Sequence, residues 1–164
     1  MSTGTPAHRA ELGAAFQKNG RRLSNATILF HQAVADRLGM NLTVYKVLGV
    51  LIDSGPLAAG RLAEITGLAT GAVTGIVDRL ESMGYATRER DPGDRRKVII
   101  RPVWTEESEE ALGRIFAPLL REMAEVMAGY SDDEAALIVG FMDRHARALQ
   151  RATREVRDAG VTGR

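Results

Sequence analysis

The chain has 164 residues, 45% apolar and 26% charged, with 22 Lys and Arg against 21 Asp and Glu. One domain-sized core is expected at this length. A net charge of +1 excludes a uniformly basic coat, so any basic surface must be local. Cysteine is absent, which rules out disulfides, thiolate metal sites and a cysteine nucleophile. No apolar run approaches the ~18 residues that span a bilayer. The start, MSTGTPAHRAELG, lacks a basic segment followed by an apolar one, so no secretory signal is expected. The reading is a cytoplasmic protein with no membrane partner.

Apolar positions at Leu23, Thr27, Phe30, Val34 and Leu38 make one face of a first helix, which Gly39 closes. A second helix spans 42–54, with Val44, Val47, Leu48, Leu51 and Ile52 inward, and stops at Ser54-Gly55-Pro56. A short third helix, 58–66, centres on Leu62, Ala63 and Ile65 and is broken by Gly67. Thr70 is expected as the N-cap of a fourth helix over 71–83, with Val73, Ile76, Val77 and Leu80 facing the core. The period then changes. Tyr85–Arg90 and the β-branched Lys97–Arg101, joined by Asp91-Pro92-Gly93-Asp94, predict a β-hairpin with a charged tip.

Thr105 is placed to cap the next helix, whose apolar face runs from Leu112 to Met127. Glu106 and Glu107 sit where the helix dipole favours anions. Ser131 and Glu134 have capping-box spacing before a last helix carrying Leu137, Ile138, Phe141, His145 and Leu149. Residues 158–164 are expected to fray. The terminal helices carry more apolar face than one small domain needs, so burial in a homodimer is expected. The fold class is mainly α with a small β-wing: a winged helix-turn-helix plus long dimerisation helices. Residues 1–41 are expected to form the N-terminal part of the dimerisation region, 42–103 the winged helix-turn-helix lobe and 104–164 the C-terminal dimerisation helices.

Residues 58–84 fit a helix-turn-helix. Ala63 is small where the helices approach, Gly67 tolerates positive φ at the turn, and Val73 and Ile76 anchor the second helix. An ordinary helical hairpin would share these features. The second helix exposes Gly71, Ala72, Thr74, Gly75 and Asp78, and its small side chains let it enter a major groove. Beside it lie Arg88, Arg90, Arg95, Arg96, Lys97 and Arg101, against Glu89, Asp91 and Asp94. Such local basicity in a near-neutral chain is the footprint of a nucleic-acid binder. An Arg-tipped hairpin can reach a minor groove, with Asp94 placed to orient Arg96.

The run Thr70–Glu81, continuing through Gly84-Tyr85 to Arg90–Lys97, resembles the MarR family of winged-helix transcriptional regulators. Asp94-Arg95-Arg96 and Asp78-Arg79-Leu80-Glu81 are the most specific pieces. The resemblance implies a homodimer built from the first, fifth and sixth helices. It implies control of transcription through a short palindrome of double-stranded DNA, with release by a small aromatic or phenolic effector. It places Arg96 in the minor groove, held by Asp94, and the 70–79 helix, Arg79 included, in the major groove. Where many relatives carry an arginine, this helix has Thr74-Gly75, so readout is expected to rest on Thr hydroxyls, apolar contact and DNA shape. Phosphate contacts are expected from Arg88, Arg90, Arg95 and Lys97.

His31, Tyr45 and Trp104 border the expected cleft and are either core residues or ligand contacts. The three histidines are far apart and no HxxxH or HExxH pair occurs, so no metal or cofactor is expected. No GxSxG, P-loop or nucleophile–base pair argues for an enzyme, and no catalytic residue is named. A ligand-independent architectural DNA-binding or interaction protein is the alternative reading.

Overall fold

The computed structural model describes residues 5–91, 93, 94 and 97–161. Its elements are α1 (Pro6–Arg37), α2 (Leu42–Ser54), β1 (Leu57–Ala58), α3 (Ala59–Thr66), α4 (Thr70–Ser82), β2 (Ala86–Arg90), β3 (Val98–Pro102), α5 (Glu106–Met127) and α6 (Asp132–Val161). The three strands form an antiparallel sheet of order β1-β3-β2. The predicted helix order and hairpin are present. The strand β1 has no counterpart in the sequence-based expectation: at two residues it is too short to show alternation, and it exists through pairing of Leu57 with Ile100 and Ala58 with Ile99.

Helix ends follow side-chain chemistry. Asn41 Oδ1 accepts from the Val44 amide at 2.9 Å and starts α2. Thr105 Oγ1 accepts from the Ser108 amide at 3.2 Å and starts α5. Ser131 and Glu134 form the reciprocal box that starts α6: the Ser131 amide donates to Glu134 Oε2 at 2.9 Å, and the Glu134 amide donates to Ser131 Oγ at 3.4 Å. The Ser131 amide and then its hydroxyl, which donates to the same Oε2 at 2.8 Å, hold the Glu134 carboxyl below its ordinary pKa. Gly39 (φ 68°), Gly67 (φ 71°) and Gly84 (φ 77°) follow helix ends in the left-handed region, where a Cβ is penalised.

The chain divides into two compact units between Ile115 and Phe116. The first has a core of Val34 and Ala35 from α1, Met40, four residues of α2, Leu62, Val73, Val77, Leu80, Ala86 and Ile100. Two expected core positions face outward. Ile52 is 41% exposed and Ile65 is 37% exposed. Ile52 is rotated ~100° from the fully buried Leu51. On α3, Thr66 rather than Ile65 stacks a full turn above Leu62, and its hydroxyl donates to the Leu62 carbonyl at 2.7 Å.

Thr70 is not the N-cap of α4. That position is Ala69, without a side-chain bond, and Thr70 is the first helical residue. After the left-handed Gly67 two residues suffice to restart the helix, and the exposed first turn can turn its free amides to water. In the second unit, α6 remains helical through Val161, so fraying does not begin at 158. Leu120, Met123 and Val126 on α5 and Leu137, Leu149 and Val156 on α6 are exposed within this chain. No described helix is long and apolar enough to cross a membrane.

Candidate nucleic-acid interface

The helix-turn-helix positions are held from below. Val73, Val77 and Leu80 of α4 are at most 1% exposed and pack with Leu62 of α3 and Leu51 of α2. The opposite face of α4 presents Thr70, Gly71, Ala72, Thr74, Gly75, Asp78 and Arg79 to solvent. A Cβ added at Gly71 or Gly75 would meet no other atom within 4 Å. Packing therefore does not demand glycine at either position, although each costs a helix about 0.5–1 kcal/mol relative to alanine. Thr74 donates its hydroxyl to the Thr70 carbonyl at 3.1 Å, which leaves its oxygen as an acceptor. Arg79 donates to the Gly39 carbonyl at 3.4 Å.

The hairpin adjoins this face. Asp91 shapes its tip: Oδ1 accepts from the Gly93 amide at 2.7 Å and from the Asp94 amide at 3.0 Å. Lys97 donates its amide to the Asp94 carbonyl at 2.8 Å, and its ammonium lies 3.8 Å from the Asp94 carboxylate. Arg90 and Lys97 are exposed cations on this hairpin. Arg95, Arg96 and Pro92 lie outside the described residues. Arg101 grips Glu89 across the strands through two bonds of 3.1 Å. That pairing pulls the exposed Glu89 carboxyl below its ordinary pKa. Arg88 turns the other way, toward α4. It pairs with Asp78 at 2.7 Å, with Glu81, and donates to the Thr74 carbonyl at 3.0 Å. Asp78 and Glu81 were legible as parts of a motif, but their partner could not be read from spacing alone.

His31, Tyr45 and Trp104 meet in one cavity of about 440 Å³. Its wall is mainly apolar and adds Lys46, Asp53 and Ser108, which sequence reasoning did not select. Asp53 stands at i+8 from Tyr45 and i+4 from Gly49 along α2, a periodicity that could have flagged it, whereas Lys46 directly follows Tyr45 and carries no such signal. His31 Nδ1 lies 3.2 Å from the Tyr45 hydroxyl. Burial, and then the nearby Lys46 charge, push the His31 pKa below its ordinary value; burial raises that of Tyr45.

The MarR family model matches residues 38–97, the span from the end of α1 through the wing tip. The uncharacterized HTH-type transcriptional regulator YcgE of Bacillus subtilis is 39% identical over 142 residues, 87% of this chain and 91% of that protein. The chain belongs to the MarR family of transcriptional regulators. The HTH-type transcriptional repressor NicR of Pseudomonas putida is 32% identical over 103 residues, 63% of each chain. A MarR family protein of Bacillus stearothermophilus superposes with a TM-score of 0.60 at 23% identity, over 92% of this chain and 99% of that one. That likeness shows a MarR-type winged-helix fold. As a member of a family of DNA-binding regulators, this chain is not an enzyme.

Proposed function

We propose that this MarR family member is a cytoplasmic repressor that binds a palindromic operator as a homodimer and is released by a small aromatic or phenolic effector. The observation that carries the DNA reading is the pair Gly71 and Gly75. They are exposed on α4 with open space where a side chain would stand, so close approach of another surface accounts for them better than packing does. On this reading α4 enters the major groove with Thr70, Ala72, Thr74 and Arg79 nearest the bases. Arg90, Arg95 and Lys97 contact phosphates, and Arg96, held by Asp94, enters the minor groove. The name of NicR supports the repressor sign.

The homodimer reading rests on the apolar rows that α1, α5 and α6 leave exposed: Leu12 and Leu23, Leu120 and Met123, Met142 and Leu149. Scattered apolar residues are ordinary on a surface, but rows at helical spacing along several helices suit a second copy. Residues 1–41 and 104–164 then serve dimerisation, and 42–103 serve DNA. The effector reading rests on the cavity around His31, Tyr45 and Trp104: an apolar wall with a few polar groups holds an aromatic ring and a hydroxyl or acid group.

Selection of bound duplexes from a random pool tests the reading. The expected product is a palindrome whose half-sites lie roughly 34–36 Å apart, one turn of DNA. Recovery of no preferred duplex, with or without added aromatic acids and phenols, would overturn it.

A further inference from the structure

We propose that Arg88 is a positioning residue that clasps the wing to the recognition helix, and not one of the phosphate contacts. The proposal rests on the DNA-binding reading above. Thr74, Asp78 and Glu81 stand at i, i+4 and i+7 on α4, one stripe of the helix facing β2. The Arg88 guanidinium meets all three: both carboxylates and the backbone carbonyl. A planar fork with donors on several edges can do this, whereas an ammonium on a flexible stem is a point charge.

Two physical consequences favour a clasp. First, a guanidinium already shared between two carboxylates offers a phosphate little net attraction, and its side chain is only 29% exposed. Arg90 and Lys97 are exposed on the same hairpin. Second, Arg88 is one of two braces on the wing stem. Side chains alternate across a strand, so Arg88 ties β2 to α4 while its neighbour Glu89 ties β2 to β3 through Arg101. The helix that enters one groove and the hairpin that enters the next are thereby held at one fixed angle. The clasp also offsets Asp78 and Glu81, two carboxylates that would otherwise repel the DNA backbone.

The test compares wild type, Arg88→Lys and Arg88→Ala on two duplexes: the palindrome that wild type selects from a random pool, and poly(dI-dC). Each is titrated across a salt series. A clasp predicts that Arg88→Lys already loses about tenfold or more of its preference for the palindrome, the scale of a broken coupled network. Binding to poly(dI-dC) and the salt slope stay as in wild type. Adding Asp78→Asn and Glu81→Gln to Arg88→Lys brings little further loss. A phosphate contact predicts that Arg88→Lys keeps wild-type binding, while Arg88→Ala weakens both duplexes and lowers the salt slope by about one. That result overturns the proposal. Amide exchange without DNA separates the clasp from the DNA reading itself. Faster exchange over residues 74–81 and β2 in Arg88→Lys supports the clasp even if wild type selects no duplex, and unchanged exchange there overturns it.

Discussion

The Tyr45 hydroxyl and His31 Nδ1, 3.2 Å apart, join α2 to the last turns of α1, with their ring centroids 5.6 Å apart. Both rings also line the cavity proposed for an effector. Tyr45→Phe keeps the ring and removes the bond. It is expected to lower stability by about 0.5–1.5 kcal/mol, the usual net contribution of such a bond. Urea unfolding checks this, and an unmoved midpoint would show that the bond contributes nothing.

His31 also gives the fold a pH dependence. Burial and Lys46 depress its folded pKa below the ordinary 6.5. The unfolded chain therefore binds the proton more readily than the folded chain. The contribution is fully present above pH 6.5 and is lost as the pH falls through the lower folded value. Melting should drop as the pH falls from 6.5 to the lowered folded value, and His31→Gln should remove part of the drop. An equal drop in both proteins would locate the effect elsewhere.

Gly75→Ala separates folding from recognition. The added Cβ meets nothing within 4 Å, so α4 should gain up to ~1 kcal/mol of stability. Affinity for the selected palindrome should fall nonetheless, because the methyl stands between helix and groove. Urea unfolding and a binding titration on the same sample read both. A stabilised variant with full affinity would remove the close-approach argument.

Gly67→Ala should act in the opposite sense. Gly67 sits at φ 71° and donates its amide to the Ala63 carbonyl at 2.8 Å. A Cβ in this conformation costs roughly 1–2 kcal/mol. Urea unfolding should show that loss, and a neutral result would mean the turn can change conformation cheaply.

Light scattering tests the apolar row on α6. The wild-type chain should give twice its 17.8 kDa. Leu149 is 56% exposed in the single chain, so Leu149→Glu should leave the fold intact and shift the mass toward one copy, because a charge there is desolvated only on association. A variant that remains a dimer would move the interface off this row.

Local chemistry wrote most of the helix map into the chain. Thr105 and the Ser131–Glu134 box carry start signals that do not depend on tertiary contacts, and Gly39 and Gly67 carry stop signals of the same kind. Thr70 misled because its residue type suits a cap, while the two-residue link from Gly67 starts the helix one position earlier. Strand β1 was illegible for a different reason: its pairing partner, β3, lies some forty residues away. The site divides likewise. His31, Tyr45 and Trp104 could be nominated singly, but their meeting, like that of Arg88 with Asp78 and Glu81, depends on how distant elements pack.

The two-residue strand β1 has a mechanical meaning. It stitches the α2–α3 connection to β3, and β3 carries the hairpin, so the arm has no free hinge at its root. On the proposed DNA reading, a ligand that tilts this lobe would draw the arm away together with the α2–α3 connection to which β1 anchors it.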